Sequence, residues 1–489
     1  MLDMRLAETV SELVERKKKV FTDASDRVWE FAEIRYEEFQ SAELLSRVLE
    51  QEGFSVERQA AGIQTAFVAS FGSGKPVIAL LGEYDALAGL SQQAGLDNFD
   101  PVAAGGHGHG CGHNLLGTGA LAAAVAVKDY LIANKVPGTV RFYGCPAEES
   151  GAGKTFMARK GLFDDVDTAI TWHPGTSNAI MQVTSLATTT VRFRFLGKST
   201  HAAAEPHLGR SSLDAVELMS VGVNYMREHM IDQARIHYAV LNTGGSAPNV
   251  VQSEAEVLYS IRAPKSAQVR ELFERVKDVA RGAALMSGTQ MEFFVTGATS
   301  DLIPNPTLER VMHRHMEEIA PPVPSAEDIA FAQRIFASIP EPDKQSAASR
   351  TSREKAAALR ENPLLPELAP LIEGSVPMSA STDVGDVSWL VPTIQCTTAT
   401  WAFSTPGHSW QAVAQGQSPH AHKAMLYAGK AMAATAIEAL LDPQLIAAAK
   451  QDLALQLAGE PYVCPIPEDV HPPQPQNPAN TREAMTLST

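Results

Sequence analysis

The chain has 489 residues, 45% of them hydrophobic and 20% charged, a composition typical of a globular protein too long for one core. A formal charge of −16 argues against nucleic acid or an anionic membrane surface as the main partner, and we find no apolar run of the roughly 18 residues that cross a bilayer. Four cysteines are too few for a disulfide scaffold and the N-terminus lacks a signal-peptide pattern, so we expect a cytoplasmic protein.

The first part of the chain alternates helical stretches with short apolar strands. Strands are predicted at 77–81, 139–144 and 168–172, with a buried Ala-rich helix at 115–134. The polar side chains that follow these strands are Asp85, the pair Glu148 and Glu149, and His173. Because ligands bind at the carboxyl ends of strands in α/β sheets, we expect these side chains at one sheet edge.

The pattern changes near residue 187. Alternating strands and two helices follow in the order β-α-β-β-α-β, which predicts a ferredoxin-like domain over 187–297. It is inserted into an α/β domain formed by 1–186 and 298–489. Residues 320–366 are rich in Pro, Ala, Ser and charge and predict a surface insert, and the Pro-rich tail from Gly459 predicts extended chain.

A glycine-rich run from Gly105 to Asn114 contains the best candidate metal ligands. Cys111 and His113 stand two apart among glycines, and a thiolate with an imidazole suits zinc and is acceptable for manganese. A lone cysteine is more often a small buried apolar residue, but histidines crowd this one. His107 and His109 are weaker candidates, since a glycine-rich turn tolerates histidines that only face water.

The pair Glu148 and Glu149 is the candidate for acid–base chemistry. Adjacent carboxylates point apart, so one can bind a metal while the other stays free as a general base beside activated water. The alternative is a solvated acidic pair, which is the usual reading of two consecutive glutamates. Asp85 is expected to orient a ligand or to bridge metals, and its alternative is a polar residue at the end of a strand.

Taken together, these motifs resemble the M20 metallopeptidases, and within them the amidohydrolase branch (subfamily D). The resemblance rests on Cys-Gly-His, Pro-Ala-Glu-Glu, a later strand-end histidine, and the segments 82–87, 381–389 and 407–411. It implies an α/β catalytic domain with an inserted lid and dimerisation domain, and two divalent cations, Mn²⁺ or Zn²⁺, in each subunit. The metal ligands that it implies are Cys111, His113, Glu149, His173 and His408, with Glu148 as the general base.

The resemblance also implies residues that bind the substrate. His201 is expected to reach from the lid into a partner subunit's site and to stabilise an oxyanion, while Asn249 and Arg262 are expected to hold a substrate carboxylate. The partner is a second copy or a related subunit. The chain departs from many family members at Asn114, where they carry Asp, and this departure predicts either weaker support for His113 or a lower affinity for the metals.

The substrate that the resemblance implies is a small N-acyl or N-aroyl amino acid, with p-aminobenzoyl-glutamate first. Hydrolysis of an indole-acetyl amino acid or of a dipeptide stays open, as does a mainly structural or regulatory role in a heterodimer. His420 and His422 rival His408 as the last ligand, and Asp383 and Asp386 are candidates for supporting the ligands.

Overall fold

The computed structural model of the chain describes residues 2–475. Its strands are β1 (Ser55–Arg58), β2 (Phe67–Ser73), β3 (Val77–Glu83), β4 (Gly138–Cys145), β5 (Thr168–Gly175), β6 (Ala179–Ile180), β7 (Val183–Thr184), β8 (Ala187–Leu196), β9 (Arg235–Asn242), β10 (Glu254–Ala263), β11 (Gln290–Thr299), β12 (Val376–Pro377) and β13 (Thr393–Ala399). Its helices are α1 (Leu2–Arg16), α2 (Lys18–Phe31), α3 (Phe39–Gln51), α4 (His113–Asn134), α5 (Glu148–Gly151), α6 (Gly153–Arg159), α7 (Ser212–Met226), α8 (Ser266–Ser287), α9 (Pro306–Ile319), α10 (Ala326–Ser338), α11 (Glu341–Ala348), α12 (Arg353–Glu361), α13 (Val384–Ser388), α14 (Trp410–Gln415), α15 (Pro419–Leu441) and α16 (Pro443–Leu457).

A seven-stranded sheet organises the larger part of the molecule, with strand order β1-β2-β4-β3-β5-β13-β6. Its four central strands, β4, β3, β5 and β13, are parallel. Every residue of β3 is buried, as expected for a strand covered on both faces. The three strands predicted from apolar runs are therefore confirmed, and their carboxyl ends lie at one edge of this sheet.

Two Ala-rich helices, α4 and α15, pack against each other on one face of the sheet. A Cβ atom added at Gly429 would lie 3.0 Å from the carbonyl oxygen of Gly119, so the two backbones approach closely. Both helices are long and apolar enough to cross a membrane by length and composition, contrary to the expectation from the sequence. In each, 83% of the apolar window is buried inside the fold, which is the environment of a core helix.

A separate antiparallel sheet has the strand order β11-β8-β10-β9, with α7 and α8 packed on one face. This order, with the chain sequence β8-α7-β9-β10-α8-β11, is that of a ferredoxin-like fold and agrees with the predicted β-α-β-β-α-β pattern. We call residues 187–299 the inserted unit. The predicted domain boundaries, and the lid role of 187–297, stay predictions.

The segment expected to be a surface insert forms the three helices α10, α11 and α12. Part of α10 is buried, since Ile335 packs with Ala402 and Ala414 in a small apolar cluster. The tail has neither helix nor strand over residues 460–475, but a turn at 468–469 interrupts the expected extended chain, and Ile466 is buried. Arg159 donates hydrogen bonds to the carbonyl oxygens of Pro467 and Val470, at 2.6 and 2.8 Å. The last proline of the predicted tail, Pro478, lies outside the described residues.

Candidate active site

The turn that precedes α4 places Cys111 against the end of β5. Gly112 has a φ of +75°, and a Cβ there would lie 2.9 Å from the Pro174 and Trp401 side chains, so this close approach requires glycine. The Cys111 Sγ atom consequently lies 3.4 Å from His173 Nε2. Burial opposes ionisation of the thiol, but His173 and His113 outweigh it and hold the pKa of Cys111 well below its usual range.

His113 begins α4 and is oriented by Asp85. The Asp85 Oδ1 atom lies 2.8 Å from His113 Nδ1, and the other Asp85 oxygen accepts a hydrogen bond of 2.8 Å from the backbone N–H of Glu149. These contacts leave His113 Nε2 facing the cluster and favour the orienting role of Asp85 over the bridging role. Asn114 points away from the cluster and donates to Ser25 Oγ and the Gly416 carbonyl. The sequence predicted weaker support for His113 because of Asn114, but Asp85 provides that support instead.

Two groups of candidate metal donors share one sulfur atom. Cys111, His113 and His173 form the first group, and Cys111, Glu149 and His408 form the second, with all donor atoms of a group within 4.8 Å of one another. His113 Nε2 and Glu149 Oε1 are buried and make no well-formed hydrogen bond in the described part of the chain; their nearest polar neighbours are other candidate donors, Glu83 Oε2 at 3.3 Å and His408 Nε2 at 3.1 Å. Since buried polar atoms are rarely left unpaired, these two atoms fit a bound cation. A thiolate shared by both groups suits a pair of cations.

Glu148 lies beside these groups without belonging to either. Its Oε2 atom is 4.0 Å from His113 Nε2, and it forms a third possible donor group with Glu83 and His113. Burial raises the pKa of Glu148 well above its ordinary value, and the carboxylates of Glu83 and Asp383 raise it further. A carboxylate with a raised pKa is suited to accept a proton from water.

His408 reaches the cluster from the loop after β13. Its backbone has a φ of +55°, a strained conformation for a residue with a side chain, and its N–H donates to the carbonyl oxygen of Gly110 at 3.0 Å. The Nε2 atom lies 3.1 Å from Glu149 Oε1, and the neighbouring Cys111 and Glu149 side chains raise the pKa of His408 to about 10. The hydrogen bond to Gly110 therefore holds the loop in the conformation that places the His408 side chain beside Cys111 and Glu149.

A buried lysine supports the site, and sequence reasoning missed it. Lys154 Nζ is fully buried and lies 2.6 Å from both Glu83 Oε1 and Asp383 Oδ1. The other Glu83 oxygen is 3.3 Å from His113 Nε2. Glu83 could have been suspected from its place at the end of β3. Lys154 carries no such signal, because lysines are almost never fully buried unless paired.

A cleft of about 220 Å³ connects the cluster with the inserted unit. Glu148, Glu149 and His408 line one side, and Arg262 lines the other together with residues of β8, β11 and the loop before α13. Arg262 donates from Nε to Ser260 Oγ at 3.4 Å and has no carboxylate partner in the described chain. It is thus a free cation facing the candidate metal donors within one chain.

His201 and Asn249 lie elsewhere, at the far end of β10 from Arg262. The Asn249 carbonyl oxygen accepts a 2.9 Å hydrogen bond from the Ala202 N–H, which places the two residues together, and both are exposed. Neither is among the described residues that line the cleft. The expected pairing of Asn249 with Arg262 therefore does not occur within one chain.

The remaining candidates have other partners. His107 is exposed, and His109 is buried with its Nε2 atom 2.9 Å from the carbonyl oxygen of Val28. His420 contacts the carbonyl oxygen of Ala399, and His422 pairs with Asp26 at 2.8 Å, so both of these rivals of His408 lie outside the donor groups. The Asp386 carboxylate is held by Thr155, Ser300 and Tyr462.

Comparison with known proteins gives a matching family model and similar hydrolases. The model of peptidase family M20/M25/M40 matches residues 79–342. The chain is 49% identical to the p-aminobenzoyl-glutamate hydrolase subunit designated B in Escherichia coli (strain K12), over 95% of this chain and 98% of that protein. It is 28% identical to Xaa-Arg dipeptidase of Mus musculus, over 94% of each chain.

Solved structures show the same fold. A putative aminohydrolase from methicillin-resistant Staphylococcus aureus aligns with a TM-score of 0.62 and 15% identity, over 88% of this chain and 99% of that one. A dinuclear metal-binding peptidase of family M20 from Bacillus subtilis aligns with a TM-score of 0.52 and 18% identity, over 87% and 99%. The expected α/β fold class and the family resemblance are confirmed: the chain is a hydrolase that belongs to peptidase family M20/M25/M40.

Proposed function

We propose that this protein hydrolyses the amide bond of N-aroyl amino acids, with p-aminobenzoyl-glutamate as the first substrate, and that it uses two divalent cations, Mn²⁺ or Zn²⁺. The observation that carries the proposal is a free carboxylate, Glu148, beside two donor groups that share Cys111, in the same cleft as the unpaired Arg262. The 49% identity to a p-aminobenzoyl-glutamate hydrolase protein supports the choice of substrate.

The side chains divide the chemistry between them. The cations would be held by Cys111, His113, Glu149, His173 and His408, and when bound they would activate water and polarise the amide carbonyl. Glu148 takes a proton from the attacking water and later delivers it to the leaving nitrogen. Arg262 orients the substrate by pairing with its carboxylate through two parallel hydrogen bonds.

A second protein chain completes the site in this proposal. His201 accepts hydrogen bonds at Nδ1 from the N–H groups of Ala203 and Ala204, which leaves Nε2 free to donate to an oxyanion. Since His201 and Asn249 are exposed and remote from Arg262 in their own chain, they are suited to enter the cleft of a partner.

The inserted unit offers a surface for such a partner. Strand β9 is an edge strand with exposed Tyr238 and Leu241, and α7 exposes Val221 and Tyr225 one turn apart. An unpaired strand edge with apolar side chains readily adds a second chain. The partner is a second copy or a related subunit. The p-aminobenzoyl-glutamate hydrolase subunit designated A in E. coli is 28% identical over half of this chain, and this similarity supports a related one.

The test is hydrolysis by the purified full chain, loaded with Mn²⁺ or Zn²⁺. Substrates are p-aminobenzoyl-glutamate, an indole-acetyl amino acid and a dipeptide, and Glu148→Gln serves as the inactive control. We expect preferred turnover of p-aminobenzoyl-glutamate and a loss of about 10²–10⁴ in kcat for Glu148→Gln, the usual contribution of a general base. Turnover by Glu148→Gln equal to that of the wild type would overturn the assignment of the base.

A mainly structural or regulatory role in a heterodimer is the competing function. A subunit without catalytic activity does not require a complete set of metal donors, yet both donor groups are complete in this chain. The discriminating measurement is turnover by the chain alone and in the presence of a related subunit. Activity that requires the related subunit, and that is unchanged by Glu148→Gln in this chain, would favour the regulatory role.

A further inference from the structure

The cleft wall formed by the inserted unit is a row of hydrogen-bond donors. Arg262 on β10 lies directly across from Thr188 on β8, and Thr188 lies directly across from Thr299 on β11. Side chains opposite one another on neighbouring strands share a face of the sheet, so these three stand side by side. The other face is covered by α7 and α8, while all three residues of the row line the cleft.

Hydroxyl groups in this wall have no partner. The Oγ1 atoms of Thr188 and Thr299 are buried, and neither has a hydrogen-bond partner among the described residues. The same is true of Ser381 Oγ, which lines the cleft from the loop before α13. That loop is held next to β8, because the Ala380 carbonyl oxygen accepts a 3.0 Å hydrogen bond from the N–H of Leu186. Buried hydroxyls without partners are rare, and three around one cleft indicate a ligand that accepts hydrogen bonds.

The width of this row of donors determines how far apart the acceptor groups of a bound ligand must lie. Neighbouring strands are about 4.8 Å apart, so Arg262 and Thr299 stand about 10 Å apart with Thr188 between them. One carboxylate cannot reach both ends of such a row. A ligand with two separated carboxylates can, and a dicarboxylic amino acid has this form. Arg262 suits the α-carboxylate, because its guanidinium has no carboxylate partner among the described residues and is oriented by a hydrogen bond to Ser260 Oγ.

We propose that Thr188, Thr299 and Ser381 form a subsite for the side-chain carboxylate of the amino-acid half of the substrate, and thereby select glutamate conjugates over neutral ones. The inference rests on the proposed amide hydrolysis in the same cleft. It adds the residues that set the specificity: three hydroxyls donate hydrogen bonds to the second carboxylate, while Arg262 holds the first.

The test compares two substrates that differ only in that carboxylate, p-aminobenzoyl-glutamate and p-aminobenzoyl-glutamine. We expect Thr188→Val, Thr299→Val and Ser381→Ala each to lower kcat/KM for the glutamate conjugate by about ten- to a hundredfold, the usual loss of a hydrogen bond to a charged group. For the glutamine conjugate the loss in kcat/KM should be clearly smaller, because its neutral amide oxygen accepts weaker hydrogen bonds than a carboxylate does. Thr189→Val is the matched control, because Thr189 lies across from Ile261, which packs beneath the helices, and Thr189 is not among the described residues that line the cleft.

Equal losses on both substrates, or no loss on either, would overturn the inference. Metal content and thermal unfolding of each variant show whether it is folded and loaded. Binding of free glutamate and free glutamine, measured by calorimetry, separates this inference from the proposed function. If the wild type cleaves neither conjugate but binds glutamate through these hydroxyls, the proposed substrate is wrong and the subsite stands. If the hydroxyl variants bind glutamate as well as the wild type does, the subsite is wrong.

Discussion

At the scale of single residues, the site depends on which side chains are held by neighbours and which are left free. Asp85 fixes His113 through Nδ1, so the free Nε2 atom faces the cluster. Lys154 forms ion pairs with both Glu83 and Asp383. Glu148 has no comparable partner and keeps its raised pKa. This division between anchored and free carboxylates allows neighbouring acids to have different tasks.

We expect Lys154→Met to destabilise the protein by about 3–5 kcal/mol, because it leaves two buried carboxylates without their cation. Urea unfolding measures this loss. The matched control is Lys19→Met, since Lys19 pairs with Asp23 in an exposed ion pair and its loss should leave the free energy of unfolding almost unchanged. Equal stability of the Lys154 variant and the wild type would contradict the supporting role of Lys154.

The pH dependence of stability has an identifiable contribution from His420. Burial lowers the pKa of His420 below its ordinary value of 6.5, while the unfolded chain protonates it normally. The stability that depends on the neutral imidazole is therefore complete above about pH 6.5 and is lost as the pH falls towards the lowered pKa. In urea unfolding at pH 7.5 and 5.5, the wild type should lose more stability than His420→Asn. An identical loss in both proteins would contradict this assignment.

At the scale of elements, glycines let α4 lie directly on β3. A Cβ at Gly117 would be 2.4 Å from the carbonyl oxygen of Glu83, a backbone atom that cannot move without moving the strand. The helix that begins at His113 and the strand that ends at Glu83 are thereby held in contact. The close packing of these two elements places their ends, and the candidate donors on them, side by side.

Gly117→Ala should consequently destabilise the fold by about 1–3 kcal/mol, the usual effect of overpacking, although alanine is the better helix former. Gly282→Ala in α8 is the control: no atom lies within 4 Å of its added Cβ, and we expect a gain of about 0.5–1 kcal/mol. Thermal unfolding shows whether Gly117→Ala lowers and Gly282→Ala raises the stability of the protein. A stabilised Gly117 variant would show that the helix and strand are not tightly packed.

The elements were largely predictable from the sequence, and some of the contacts were not. Apolar runs and alternation predicted β3, β4 and β5 and the six elements of the inserted unit, because each pattern is local. The clustering of Cys111, Glu149 and His408 followed only from the family resemblance. Lys154 and the hydroxyls of Thr188 and Thr299 could not be foreseen, since their burial depends on neighbours distant in sequence.

At the scale of the whole molecule, one chain contains the donors and Arg262 in one cleft, and presents His201 and Asn249 on an outer surface. A site completed across an interface explains both placements. Two inactive variants should then complement each other when copies of this chain pair.

We expect His201→Ala and Glu148→Gln, each inactive alone, to recover activity after they are unfolded and refolded together. The recovered turnover should be about a quarter of the wild-type value, because half of randomly paired dimers are hybrids and each hybrid has one complete site. Steady-state assays of the mixture measure it, with each variant refolded alone as control. If the mixture stays inactive, the partner is not a second copy of this chain.

The central claim is that the two donor groups containing Cys111 would hold two cations while Glu148 stays free, and metal content per chain tests it most directly. Elemental analysis should find two divalent cations in the wild type and in Glu148→Gln, and a loss of both in Cys111→Ala. Cys396→Ala is the control, since Cys396 is a buried free cysteine on β13 outside the donor groups. Two cations retained in Cys111→Ala, or lost in Glu148→Gln, would contradict the account.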